Sequence, residues 1–239
     1  MKVEASSMLI WYPKIKDLSI PQPKTEFIML SKEELKKLYN EAVPESVTKK
    51  VKLVCDKMGY PCFLRTDLAS GKHSWKKSCF IDGKTEVWEH IYEVATFNLC
   101  AGILGLEFVA FVVRDYIPMD SRFTAFWGDM PVNPERRYFV DDGEVLCHHP
   151  YWIEEAMAQS KPPSNPEWRT IVKEMNMESE IEVKLLTEYA EIVSQKVDGY
   201  WSIDFCKAKD GRWILIDMAT AKSSWHPDNC SHKENYPNG

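Results

Sequence analysis

Two aspartates stand out because nothing in their surroundings suits a charge. Asp204 lies in Trp201-Ser202-Ile203-Asp204-Phe205, and Asp217 ends the apolar run Trp213-Ile214-Leu215-Ile216. Between them sits Lys209-Asp210-Gly211, and an Asp-Gly pair flanked by apolar runs is a strong hairpin signal. A two-residue turn centred on Asp210-Gly211 places Lys209 opposite Arg212 and Asp204 opposite Asp217, on one face. Opposed like charges destabilise a sheet. Either a divalent cation such as Mg²⁺, completed by phosphate oxygens, neutralises them, or they face water or pair with Lys207 and Lys222. A bulge at the turn would break this register.

A second Asp-Gly turn, Asp141-Asp142-Gly143, joins Arg137-Tyr138-Phe139-Val140 to Glu144-Val145-Leu146-Cys147. Centred on Asp142-Gly143, it sets Arg137 against His148 and Arg136 against His149. Such a cationic cluster suits a phosphate or is simply a solvated hairpin face. The loop Ser70-Gly71-Lys72-His73-Ser74 follows a strand ending in Arg65-Thr66-Asp67. Glycine lets backbone N–H groups approach a phosphate, lysine adds charge and serines donate hydrogen bonds. The Walker pattern Gly-x-x-x-x-Gly-Lys-Ser/Thr is absent, and a plain solvated loop reads equally from these residues.

Other chemistry finds less support. Cys147-His148-His149 and the stretch from His226 through Cys230 to His232 contain zinc-type residues. Neither has Cys-x-x-Cys spacing, and His148 and His149 on one strand point to opposite faces, which argues against zinc. No cysteine shows a local activation pattern for a nucleophile. Trp127, Trp152 and Trp225 are candidates for a pocket lining or for the core.

The elements that must position these residues can be read from periodicity. Residues 8–12 and 25–30 read as strands around a Pro21-Gln22-Pro23 turn. Ser31 and Glu34 form a capping box for a helix to about residue 42. Pro44 opens another helix that stops near Gly59. Residues 61–66 return to strand. Helical spacing runs from Lys84 to about Ile103, with Val87, Ile91, Val94, Ala95, Asn98 and Leu99 on one side and Gly102 and Gly105 at its end. Phe108 to Val113 is a continuous apolar run, expected to be a buried central strand. Residues 166–197 are helical and acidic outside, and the tail after 219 is irregular.

The 239 residues, 44% hydrophobic with a formal charge of −6, suit one domain or two small lobes. No apolar run approaches the ~20 residues of a membrane span, and the N-terminus lacks a signal-peptide pattern. Seven cysteines without paired spacing predict reduced thiols and a cytoplasmic protein. The acidic excess concentrates at 131–199. No basic block resembles a nucleic-acid footprint, so nucleic acid and membrane are not the expected partners.

Taken in order, these pieces resemble the ATP-grasp superfamily, nearest the branch containing the eukaryotic translation initiation factor 2 assembly protein. The resemblance spans roughly residues 60–219. It implies an α+β ATP-grasp fold: two lobes with antiparallel sheets clamping a nucleotide, and a reduced N-terminal domain. The implied division is 1–60 for that reduced region, 61–118 for a nucleotide-binding lobe and 119–239 for a C-terminal lobe with the metal-binding hairpin. Arg65, Ser70 and Lys72 would meet ATP phosphates. Arg114, Asp115, Tyr116 and Ile117 would form the adenine hinge. Arg137, with Lys72, would act on the transferred group, and Asp204 and Asp217 would hold Mg²⁺. The implied activity is ATP- and Mg-dependent ligation through an acyl phosphate attacked by an amine or other nucleophile. The alternative is an ATP-binding assembly protein whose nucleotide supports a protein partner contact. The family pattern usually places Asn two residues beyond the second acidic ligand. Here that position is Ala219, leaving Thr220, Ser223 or a water as replacements.

Overall fold

The computed structural model describes residues 3–40, 42–102, 107–158 and 161–233. In chain order the elements are α1 (Met8–Ile15), β1 (Thr25–Met29), α2 (Lys32–Tyr39), α3 (Glu45–Met58), β2 (Cys62–Thr66), β3 (Phe80–Ile81), α4 (Val87–Gly102) and β4 (Ala110–Asp115). There follow β5 (Phe123–Ala125), β6 (Met130–Val132), β7 (Glu135–Asp141), β8 (Glu144–Pro150), α5 (Glu154–Ala158), α6 (Trp168–Met175), α7 (Glu180–Ser194), β9 (Trp201–Lys207) and β10 (Trp213–Thr220). The fold class is α+β, with two antiparallel four-stranded sheets, and β5 pairs with β6 as a short ribbon. The chain divides into two compact units: Met1–Ser7, Pro23–Ile117 and Ala125–Met130 make one, and Met8–Gln22, Pro118–Thr124 and Pro131–Gly239 the other.

In the first unit the strand order is β1-β4-β2-β3. Ser31 caps α2 through the reciprocal bonds of a capping box with Glu34. Pro44 sits one position earlier than expected, as the cap before α3. The helices pack on one face of the sheet, where Leu64, Phe111 and Val113 join Val51, Cys55, Ile91 and Val94 in a continuous apolar core. Strand alternation sends Phe63, Arg65, Val112 and Arg114 to the opposite face. The stop expected at Gly105 for α4 lies outside the described residues.

In the second unit the strand order is β10-β9-β7-β8. Tyr138, Arg136 and Phe205 face α6 and α7: the Tyr138 hydroxyl donates to the Val183 carbonyl at 3.4 Å, and the rings of Tyr189 and Phe205 are 6.2 Å apart. Residues 8–12 are not a strand. Met8, Trp11, Tyr12 and Ile15 are buried at helical spacing along α1, a period that outweighs their β-favouring side chains.

Both hairpins depart from the simple register. Beyond Val140↔Val145, a bulge shifts the pairing so that Arg137 faces His149 and Arg136 faces Pro150. His149 and Pro150 thus stand where the two-residue turn alone places His148 and His149. In the β9–β10 hairpin, Ala208 N–H bonds to the Arg212 carbonyl at 2.8 Å, so the turn is Lys209–Gly211 rather than two residues. Strand pairing therefore starts one step away from expectation, at Trp213↔Lys207. A second irregularity between Leu215 and Asp217 takes up the difference, and Asp217 meets Asp204 after all.

Candidate functional site

The face of the second sheet that points away from α6 and α7 collects the charged residues. Arg137 on β7 is the cross-strand partner of Asp204 on β9, which in turn is paired with Asp217 on β10. Arg137 Nε donates to Asp204 Oδ1 at 2.7 Å and Nη2 to Oδ2 at 2.8 Å. The guanidinium also lies 4.6 Å from the centre of the Tyr151 ring. Burial alone would lower the Arg137 pKa, but the Asp204 carboxylate raises it, so the side chain stays cationic. The charge of Asp204 is thus met by Arg137. Asp217 Oδ1 accepts from the Met218 N–H at 3.0 Å. Two carboxylates on adjoining strands are the hard oxygen donors that Mg²⁺ takes.

The neighbouring Arg136 has a different task. It points to the helical face, is fully buried, and donates from Nε to Glu182 Oε1 at 2.7 Å and from Nη2 to the Met175 and Met177 carbonyls. It fixes α6 and α7 to the sheet. His148 also lies on that side, stacked on Tyr138 and 3.1 Å from Glu178.

In the first unit, Arg65 and Arg114 share the sheet face opposite the helices. Arg65 Nε donates to the Thr66 carbonyl at 3.0 Å and Nη2 to the Leu68 carbonyl at 3.2 Å. Arg114 Nε reaches Thr25 Oγ1 at 3.3 Å. Beyond β2 the loop is built rather than loose. Gly71 adopts a left-handed φ of 60° and starts a single 3₁₀ turn, Lys72–Ser74. Ser78 Oγ holds the Gly71 carbonyl at 2.8 Å. His73 stacks flat on Phe126 at 4.0 Å, and the Gly128 N–H donates to the His73 carbonyl at 2.9 Å. Ser70 and Lys72 are half-buried within this frame. Asp67 is a brace: it accepts from Ser7 Oγ and from the Val109 and Ala110 N–H groups.

At the end of β4, the Asp115 N–H donates to the Lys24 carbonyl at 3.0 Å. Its Oδ1 is buried with no hydrogen-bond partner, and burial raises the pKa of its carboxyl. Tyr116 packs edge-on against Phe80 at 5.1 Å, and Ile117 is half-buried. Among the tryptophans, Trp152 is core, whereas Trp127 and Trp225 are exposed.

The structure thus groups Arg137, Asp204 and Asp217 in one unit and Arg65, Ser70, Lys72, Arg114, Asp115, Tyr116 and Ile117 in the other. Tyr151, which underlies Arg137, escaped sequence reasoning. It follows the last residue of β8, and nothing in its spacing marks a stacking partner.

The family model of the ATP-grasp domain, R2K clade family 3, matches residues 42–236. No curated protein matches the chain by sequence. Among solved structures, C-terminally truncated Cdc123 from Schizosaccharomyces pombe aligns with a TM-score of 0.61 at 14% identity, over 95% of this chain and 92% of that one. A second structure of Cdc123 from Schizosaccharomyces pombe gives 0.58 at 15% identity, over 90% and 83%. D-alanine--D-alanine ligase from Bacillus anthracis complexed with ATP gives 0.47 at 15% identity, with 90% of this chain covering 54% of that one.

Proposed function

From a chain that belongs to the ATP-grasp domain family, R2K clade family 3, we propose an ATP- and Mg-dependent ligase that activates a carboxylate as an acyl phosphate for attack by an amine or other nucleophile. The observation that carries this reading is the cross-strand series Arg137, Asp204, Asp217 on one sheet face. It sets a fixed cation beside two carboxylates, with no side-chain nucleophile needed.

Asp204 and Asp217 would hold Mg²⁺. When bound, the ion would offset negative charge on phosphate oxygens. Arg137 already has its guanidinium plane fixed by Asp204 and Tyr151. Its remaining donors are therefore oriented before a phosphoryl group arrives, and no reorganisation is paid for at the moment of reaction. Arg65, Ser70 and Lys72 would bind phosphates, Lys72 stabilising the charge that develops during transfer. Arg114 and the backbone of Asp115, Tyr116 and Ile117 would bind the adenine end. The acceptor left unpartnered at Asp115 Oδ1 supports a hydrogen-bonding role there.

A second reading is an ATP-binding assembly protein in which bound nucleotide supports a contact with a protein partner. Ala219 favours it, because a methyl group stands where the family pattern has an amide ligand. Calorimetric titration with Mg·ATP tests what the two readings share: no heat at about 1 mM nucleotide, the upper end of ordinary substrate affinities, would end both. ADP release that depends on a carboxylate and an amine would select the ligase. Binding without such turnover would select the assembly protein.

A further inference from the structure

We propose that Cys147, His149, His226 and Cys230 form a structural Zn²⁺ site that fastens the segment after β10 to strand β8. One ligand atom from each of the four lies within 4.8 Å of all the others. Cys147 and His149 are two residues apart on β8 and so share a face, whereas His148 points the other way. His226 and Cys230 arrive from the segment beyond β10. There the Cys230 N–H closes a turn on the Pro227 carbonyl at 3.0 Å.

Two of the ligand-to-ligand distances lie near those of tetrahedral coordination. Nδ1 of His226 is 3.8 Å from Cys147 Sγ and 3.4 Å from Cys230 Sγ. Zn–S and Zn–N bonds of ordinary length at tetrahedral angles give an S···N edge of about 3.6 Å. The donor set is two thiols and two imidazoles, which suits zinc and not a hard ion such as Mg²⁺. Four protein ligands leave no open position, the mark of a structural rather than a catalytic zinc.

The surroundings are those of a metal site. The far nitrogen of His226, Nε2, is 2.8 Å from the Tyr200 hydroxyl, which fixes the ring with Nδ1 toward the thiols. The His232 N–H lies 3.4 Å from Cys230 Sγ, a donor that stabilises a thiolate. Phe139 stacks on His226 at 3.7 Å and, with Tyr200 and Ala221, forms a small apolar cluster against Cys147. His149 Nε2 is buried with no hydrogen-bond partner. A buried imidazole nitrogen without a partner costs stability unless something binds it, and a metal ion would. Coordination deprotonates both thiols, so two protons leave to solvent for each zinc taken up. None of these four residues belongs to the proposed nucleotide machinery, and the site stands whether or not that reading survives.

The full chain, expressed without a metal-chelating tag in zinc-supplemented medium, is expected to carry about one zinc per molecule by elemental mass spectrometry. Replacement by Co²⁺ should give the intense visible bands of a tetrahedral ion together with a thiolate-to-cobalt charge-transfer band. Cys230→Ser and His149→Gln should each lose the bound zinc. Should either variant fail to fold, Tyr200→Phe keeps all four ligands and removes only the hydroxyl behind His226. Its zinc affinity, measured by competition with a chromophoric chelator, should fall about 10- to 100-fold. Protein free of zinc, with no tetrahedral cobalt spectrum, overturns the proposal. So does a Cys147–Cys230 disulfide in the purified chain, or a Tyr200→Phe affinity equal to the parent's.

Discussion

Arg137 grips Asp204 with two parallel hydrogen bonds, 2.7 and 2.8 Å long, across adjacent strands of the second sheet. Their side chains are 18% and 10% exposed, so the pair is largely out of water. Breaking a buried pair by removing one partner leaves an uncompensated charge. Arg137→Ala is therefore expected to cost about 3 kcal/mol of stability, measured by urea unfolding. Arg137→Lys keeps the charge but not the two-pronged geometry, and should restore only part of that loss. Equal stability for all three proteins would show that the pair is idle in the fold.

Asp217 is less enclosed than Asp204, and its Oδ1 accepts from the N–H of the next residue, Met218. Asp217→Asn should leave the melting temperature nearly unchanged, since an amide fits the same space. It should weaken Mg·ATP binding by tenfold or more, about 1.4 kcal/mol, by calorimetry. Unaltered binding would remove Asp217 from the metal assignment.

Gly128 has no room for a side chain. A Cβ there would sit 2.3 Å from the Ser74 carbonyl carbon and the Trp75 nitrogen, both backbone atoms that cannot swing aside. Gly128→Ala should thus push residues 126–129 away from the Lys72–Ser74 turn. The His73 carbonyl then loses its donor and His73 its stacking on Phe126. We expect a loss of about 2 kcal/mol, in the range of overpacked sites. Limited proteolysis should find new cuts between residues 68 and 79, and an unchanged digest would refute the close approach.

Glu34 couples a helix cap to an ion pair. It accepts from the Ser31 N–H at 2.9 Å, from Ser46 Oγ at 2.7 Å and from Lys50 Nζ at 2.8 Å. Burial alone would raise its pKa, but Lys50, the Ser31 backbone and Ser46 lower it from 4.5 to about 2. A carboxylate held below its unfolded value stabilises the fold above that value. The contribution is complete above about pH 4.5 and disappears as pH falls through about 2. Glu34→Gln should cost about 1 kcal/mol at pH 7 and make stability less sensitive to pH between 4.5 and 2. Denaturation curves at pH 7 and pH 3 would expose the opposite result as a parallel loss.

Much of this could be read from the residues, and what could not has identifiable causes. Ser31 with Glu34 marks a cap because side chains make both bonds. The apolar run through Val112 marks a buried strand because burial on two faces tolerates nothing else. Bulges leave no such trace, since an extra residue in a strand needs no particular side chain. In the β9–β10 hairpin two irregularities cancel, so the Asp204–Asp217 pairing agrees with a register that is wrong near the turn. In the β7–β8 hairpin only one occurs, and Arg137 moves from His148 to His149. The convergence of His226 and Cys230 on β8 depends on the path of an irregular tail, which has no periodicity to read. The helix at Met8–Ile15 shows its period only when the window extends past residue 12.

The alternation along β7 divides the consequences of damage between neighbours one bond apart. Odd-numbered Arg137 faces the charged surface, while even-numbered Arg136 and Tyr138 anchor the helices. A saturation library scored separately for cellular abundance and for nucleotide-dependent output should split along this strand. Substitutions at 136 and 138 should deplete the protein, whereas Arg137→Lys, which keeps the charge, should deplete it less than it lowers the nucleotide-dependent output. A single-readout screen would merge them and report one uniformly sensitive segment.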